Sequence, residues 1–238
     1  LVMLSLLNQD VQGQSLGLQM SARFWKWLHP EVNVMNNVKQ LHRTHRKTSA
    51  LKEEISEFKR RRIKETACHM FYCDGYEATT IEAIAKELDV TKPFIYSYFK
   101  NKSELLYEIC KTGVSLSLGS IEAIQAIPNT SAAKLKLAVD DVVRIVLSHQ
   151  EYIVVYEREE KNLDLNLSHT IRKQRSLFDH RICSILQTGC ETGEFSVINP
   201  IMTATTISGM MTWVAFWYSP NGRWTEAEIT AHVMEMVM

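Results

Sequence analysis

Glycine and proline are scarce in this sequence, nine and five among 238 residues. That shortage argues against an all-β protein with many tight turns. No apolar run approaches the roughly 18 residues needed to span a bilayer, so no membrane is expected as a partner. Leu1–Leu7 is too short for a signal-peptide core and lacks a basic flank. The first residue is Leu rather than Met, as in a fragment or a reading frame opened upstream of the natural start. The five cysteines (Cys68, Cys73, Cys110, Cys183 and Cys190) form no C-x-x-C pair and have no accompanying histidine cluster. A reducing cytoplasm and no structural metal are the expectation. A Gly-rich phosphate loop, H-E-x-x-H, G-x-S-x-G and a carboxylate pair in an acid/base setting are all missing, so neither an enzyme nor a cofactor is expected.

What is present is a chain 45% hydrophobic and 23% charged, enough for one helical unit with a sizeable core or a small domain joined to a larger one. Its zero net charge hides an asymmetry. Residues 1–102 hold 16 Lys and Arg against 11 Asp and Glu, and the remainder holds 11 against 16. A basic first part points to a polyanionic partner.

Residues 1–48 mix Gln, Asn and Ser with an isolated aromatic cluster, Phe24-Trp25-Lys26-Trp27-Leu28, and a basic stretch with Arg43, Arg46 and Lys47. They read as a poorly structured amino-terminal arm, with a phosphate-tracking arm as the other reading. From Ser49 the pattern is helical: Leu51, Ile55, Phe58, Ile63, Ala67, Met70 and Phe71 form a stripe along a helix ending at Asp74-Gly75. Lys59, Arg60, Arg61, Arg62 and Lys64 occupy the other face. Short helices are expected over 80–88 and 92–99, and a longer one opened by Asn101-x-x-Glu104. Further helices are expected over 131–148, 150–161, 168–192, 200–218 and 226–237. Asn199-Pro200 and Thr225-x-x-Glu228 mark the last two starts. Nothing reads as a strand, so the fold class is all-α.

Gly75 to Leu106 reads GYEATTIEAIAKELDVTKPFIYSYFKNKSELL. Two short helices joined by a three- or four-residue turn make a minimal helix-turn-helix. Ile84, Ala85 and Leu88 provide the inner face of the first, Val90 plugs the turn, and Ile95 and Phe99 close the same core. Thr91 is placed to cap the second helix, which leaves its amino-terminal N–H groups directed toward phosphate or base edges.

This stretch resembles the TetR family of regulators. The resemblance rests on Gly75-Tyr76, Thr79-Thr80, Ile84-Ala85, Val90-Thr91-Lys92, Ile95-Tyr96, Tyr98-Phe99, Lys100-Asn101-Lys102 and Leu105-Leu106, in that order, and is strong over about 55–110. It implies a helix-turn-helix DNA-binding domain over 49–101 and a helical effector-binding and dimerisation domain over 102–238. It further implies that Thr91, Lys92, Pro93, Phe94, Ser97 and Tyr98 face the major groove of double-stranded operator DNA, while Thr80, Tyr96 and Lys102 hold phosphates. Lys92 could reach guanine N7 and O6, and Phe94 a thymine methyl or simply the core. Glu82 stands where some relatives carry a basic base-reading residue, and reads as helping to cap its own helix through Thr79, with acceptance of a hydrogen bond from a cytosine N4 as the other reading.

The resemblance also implies a homodimer in which two late helices, here about 168–192 and 200–218, pair with their partners. Small residues Thr203 to Thr206, Ser208 and Gly209 permit close approach, and Trp213, Phe216 and Trp217 supply anchors. Tyr152, Tyr156, Phe178, Met210, Trp213 and Trp217 are candidate effector-pocket residues, with ordinary core or dimer-interface packing as the other reading. Arg158, Arg172 and Arg175 are candidate phosphate holders, or partners of neighbouring carboxylates. A looser likeness over 194–223 to the acyl-CoA-responsive branch suggests a small-molecule effector, an acyl-CoA thioester with a bulky or aromatic acyl group. The resulting expectation is a cytoplasmic, nucleoid-associated repressor released from a palindromic operator. Alternatives are a thiol-redox regulator, which the five-residue spacing of Cys68 and Cys73 opposes by placing them on different helix faces, and an acyl-CoA-using enzyme.

Overall fold

The computed structural model describes the backbone from Pro30 and side chains from Leu51. The chain divides into two units, Leu1–Glu57 and Phe58–Met238. Helix α1, Pro30–Asp74, begins well upstream of the Ser49 start expected from periodicity. Proline suits a first helical turn, where a backbone N–H has no intrahelical acceptor. The rest of the expected arm, residues 1–29, lies outside the described residues. In the first unit the described side chains include Leu51 and Ile55, both exposed. The stripe expected to run unbroken into the core becomes core only from Ile63, since Phe58 is exposed as well.

In the second unit every regular element among the described residues is helical. After α1 come α2 (Ile81–Glu87), α3 (Lys92–Tyr96), α4 (Lys102–Ala126), α5 (Ser131–Ser148), α6 (Gln150–Glu159), a 3-10 turn (Glu160–Asn162), α7 (Leu165–Glu191), α8 (Pro200–Trp217) and α9 (Glu226–Val237). The starts are set by side chains that accept otherwise unused N–H groups. Asn101 accepts from Glu104 N at 2.7 Å, Asn199 from Met202 N at 3.1 Å, and Thr225 with Glu228 forms the full capping box. Gly75 ends α1 in the left-handed region, φ +85°, where a side chain would be strained. Helix α3 stops at Tyr96 rather than running to Phe99. Tight turns carry the chain on, with Tyr98 N and Phe99 N both donating to Ile95 O at 3.0 Å.

Two apolar clusters hold the unit together. The reader cluster joins Ile63, Ala67 and Phe71 of α1 to Ile84, Ile95, Phe99, Leu105 and Ile109. The sensor cluster joins Ile121 of α4 to Val139 and Val143 of α5, Ile182 and Leu186 of α7, Met211 of α8 and Ile229 of α9. Helix α6 enters both: Ile153 and Val154 belong to the sensor cluster, Val155 and Tyr156 to the reader cluster.

Arg60, read from the sequence as part of a solvated basic face, is instead half-buried between three elements. Its Nη1 donates to Tyr98 O at 2.6 Å, its Nη2 lies 3.6 Å from Glu108, and its guanidinium sits 4.3 Å from the Phe99 ring centroid. Removing it leaves a partly buried carbonyl without its charged donor and strips packing from Phe99. Arg60→Ala should therefore lower unfolding free energy by about 1–3 kcal/mol in urea melts. Lys59→Ala, one residue away and exposed, should stay within about 0.5 kcal/mol. Equal small effects would place Arg60 among the solvated charges.

Candidate DNA-reading surface and effector cavity

The reader core sorts the residues of α3 and its flanking turns by face. Ile95 and Phe99 are buried, Phe94 and Tyr98 are half-buried, and Thr91, Lys92, Pro93, Tyr96 and Ser97 are exposed. Phe94 and Tyr98 pack against each other with ring centroids 5.2 Å apart, and both rest on the reader cluster. The Lys59 ammonium stands 5.7 Å from the Phe94 centroid. The Ser97 hydroxyl donates to Phe94 O at 2.6 Å. Asp89, in the turn between the two helices, takes φ +53°, which a short polar side chain tolerates.

Three expectations at this surface need correction. Thr91 occupies the cap position of α3, yet its side chain makes no capping bond; Pro93 has removed one of the N–H groups such a cap could serve. Helix α2 is capped by Thr80, which accepts from Ala83 N at 3.1 Å, and not through Thr79. The Thr79 hydroxyl is turned inward and donates to Gly75 O at 2.9 Å and Met70 O at 3.3 Å. Glu82 does not serve the cap either; it pairs with Lys92. The ammonium's hydrogen bond holds the Glu82 carboxyl below its ordinary pKa and raises that of Lys92.

Lys102 is half-buried. Its ammonium donates to Tyr76 O at 2.8 Å and Thr79 O at 3.0 Å, and lies 4.1 Å from the Tyr76 ring centroid. An ammonium has three donors, so one remains for an outside acceptor. Thr80 is similar, because accepting a bond through oxygen leaves its own proton to donate.

The nine expected effector-pocket residues fall in separate places. Tyr156, Arg175 and Phe178 come together in a cavity of about 50 Å³ between α4, α5, α6, α7 and α8. Val142, Val146, Ile153 and Gly113 supply its apolar wall, and Glu157, Asp179 and Thr212 its polar part. Arg175 pairs with Glu157 at 3.0 Å, and its guanidinium lies 5.9 Å from the Tyr156 ring centroid. Asp179 Oδ1 is buried and makes no hydrogen bond, and the Tyr156 hydroxyl is buried beside the Arg175 guanidinium. Burial pushes the Tyr156 pKa up, and neighbouring Arg175 opposes that rise. The sequence signal for the wall was Gly113. A Cβ there would stand 2.6 Å from Ile153 Cδ1, so glycine lets α4 approach α6.

The other six lie elsewhere. Met210, Trp213 and Trp217 line an open groove of about 540 Å³ between α8 and α9, with Trp224, His232 and Met236. Tyr152 packs on the reader cluster under the Lys64 ammonium, 5.9 Å from its ring centroid. Arg172 pairs with Glu160, and the Arg158 guanidinium lies 5.8 Å from the Tyr72 ring centroid. Among the described residues, no group of three or more His, Cys, Asp or Glu is arranged to hold a metal ion, and no helix is long and apolar enough to cross a membrane.

Two family models match this chain: bacterial regulatory proteins of the tetR family over residues 63–109, and the tetracyclin repressor-like C-terminal domain over 128–238. The HTH-type transcriptional regulator YfiR of Bacillus subtilis (strain 168) is 26% identical over 148 residues, 59% of this chain and 70% of that protein. The HTH-type transcriptional repressor KstR2 of Rhodococcus jostii (strain RHA1) is 23% identical over 182 residues, 76% of this chain and 89% of that protein. The crystal structure of AibR in complex with isovaleryl coenzyme A and operator DNA shares the fold, with TM-score 0.67 and 23% identity over 74% of this chain and 96% of that one. The helix-turn-helix, the all-helical body and both family matches place this chain in the TetR family of DNA-binding transcription regulators.

Proposed function

We propose that this regulator represses transcription as a homodimer on a near-palindromic operator and is released by an acyl-CoA thioester with a short or branched acyl group. The observation that carries the reading is the cavity beside Tyr156. It combines an apolar wall with a buried carboxylate oxygen, Asp179 Oδ1, that has no partner. Buried polar atoms left unpaired cost about 1–3 kcal/mol each, and a ligand carrying donors and acceptors beside an apolar chain would recover that. At about 50 Å³ the cavity suits a smaller acyl group than the bulky or aromatic one expected from the sequence. AibR, a structural relative, carries isovaleryl coenzyme A and operator DNA in its complex, which supports this ligand class.

The groove between α8 and α9 is larger but fits the role less well. Its acidic residue Glu228 is already used in the α9 capping box, and its lining includes no Lys or Arg to meet a phosphate. It adjoins a face of α8 better explained by dimerisation. Helix α8 contains no charged residue, and Ile201, Met202, Trp213 and Phe216 are exposed along it, Trp213 at 62%. Covering such a surface yields about 25 cal/mol per Å². A second copy of α7 and α8 is the proposed cover.

On the operator, Thr91, Lys92, Pro93, Phe94, Ser97 and Tyr98 form the proposed base-reading face, and Thr80, Tyr96 and Lys102 the phosphate-holding rim. Lys92 must share or leave Glu82 to reach a guanine. The pair therefore acts as a filter, since an uncompensated Glu82 beside a phosphate is repelled. Lys92→Ala should change preference among operator variants, costing about 1–3 kcal/mol at one base pair. Fluorescence anisotropy across a panel of single-base variants reads this, and uniform weakening across the panel would remove Lys92 from base reading.

The effector assignment is tested by titrating isovaleryl coenzyme A, longer acyl-CoAs and free acids against a preformed operator complex. Short branched thioesters should lower operator affinity by about 5- to 150-fold. Val146→Phe, which fills the apolar wall, should keep operator affinity and lose that response. Release by free acids alone would exclude the thioester, and an unchanged response in Val146→Phe would exclude this cavity.

A further inference from the structure

His69 and Cys73 stand one turn apart near the end of α1, and both are exposed. The His69 Nε2 lies 3.7 Å from the Cys73 sulfur, and its Nδ1 lies 2.8 Å from Glu151 Oε1 on α6. One imidazole thus bridges a thiol and a carboxylate, the arrangement by which a base activates a nucleophile while a third group orients the base. Glu151 holds the proton of the neutral ring on Nδ1, which leaves the Nε2 lone pair facing the thiol. His69 and Cys73 line an open cleft of about 460 Å³ together with Arg62, Glu65, Thr66, Met70, Asp74 and Glu87.

We infer that Cys73 is a covalent modification site for uncharged soft electrophiles of the α,β-unsaturated carbonyl class, with His69 as its base and Glu151 as the residue that positions the base. In the addition, His69 Nε2 takes the thiol proton while the sulfur forms a bond to the β-carbon. The C=C π pair moves into the enolate, and the imidazolium returns its proton to the α-carbon. Nothing leaves, and no outside oxidant or reductant is needed. Asp74 and Glu87 face the site, so an anionic electrophile is repelled. The thiol proton moves to His69 as the bond forms. The hydrogen bond and charge of Glu151, assisted by Asp74 and Glu87, raise the His69 pKa and make it a stronger base. The other charged residues of the cleft, Arg62 and Glu65, pair with each other at 3.4 Å.

The other cysteines are poorer nucleophiles. Cys68, Cys110 and Cys183 are buried, and burial pushes the Cys110 thiol up to about 12 and Cys68 higher still. Cys190, half-buried near the end of α7, serves as the internal comparison. Limiting N-ethylmaleimide on the full chain at neutral pH, followed by mass spectrometry of each cysteine, should label Cys73 at least about tenfold faster than Cys190. The Cys73 rate should fall on acidification, with a midpoint above the ordinary imidazole range. His69→Gln should remove that titration and bring Cys73 close to the Cys190 rate, while Cys190 itself is unchanged. Glu151→Gln, which keeps side-chain size and hydrogen bonding, should lower the rate by a smaller factor. Cys73 labelling no faster than Cys190, or an unchanged Cys73 rate in both variants, would overturn the assignment.

Discussion

The division of α6 between two cores is the constraint on which the rest of the second unit depends. Four consecutive residues of a ten-residue helix are shared between two cores: Ile153 and Val154 belong to the sensor cluster, Val155 and Tyr156 to the reader cluster. Packed interiors do not deform continuously, so α6 cannot rotate or slide to suit one cluster without disturbing the other. The helix is also tied to α1 through Glu151 to His69 and to the turn after α1 through Glu159, which accepts from the backbone N–H of Tyr76 at 3.4 Å. Tyr76 O in turn accepts from Lys102, which opens α4. A ligand beside Tyr156 would thus act on a helix already joined to the frame of the helix-turn-helix.

That geometry gives the proposed release a physical route. Two recognition helices must match successive major grooves, about 34 Å apart, and a small rotation of each reader breaks that match. The effector needs to bind the mismatched arrangement better by only a few kcal/mol. Tyr156 is well placed to bring this about, because it packs in the reader cluster and also lines the cavity.

Much of the fold was legible because it depends on local rules. Asn101, Asn199 and Thr225 cap helices where their spacing to the next side chain or proline predicted, and Gly75 ends α1. The reader core of Ile84, Ala85, Ile95 and Phe99 followed from two short helices and a turn. What was not legible depends on contacts across the chain. Arg60 looks like any member of a basic run until Tyr98, Phe99 and Glu108 close around it. The capping oxygen belongs to Thr80 because Thr79 is drawn inward by Gly75 and Met70, a distinction two adjacent threonines do not reveal. The aromatic and Met residues of 150–217 form no single pocket; α8 carries Trp213 and Trp217 away from the face on which Ser208 and Thr212 reach the cavity. Tyr156, Arg175 and Phe178 were legible as pocket residues, whereas Gly113, a mid-helix glycine whose Cβ would stand 2.6 Å from Ile153 Cδ1, was a signal left unused.

The central claim, that α6 makes the two cores one cooperative unit, is tested most directly by native-state amide hydrogen exchange on Ile153→Ala. The truncated side chain lies wholly in the sensor cluster. If α6 couples the cores, protection of the reader amides of Ile84, Ile95 and Phe99 should fall by a factor comparable to that in α5 and α7. Loss of protection confined to the sensor helices, with the reader amides unchanged, would contradict the account.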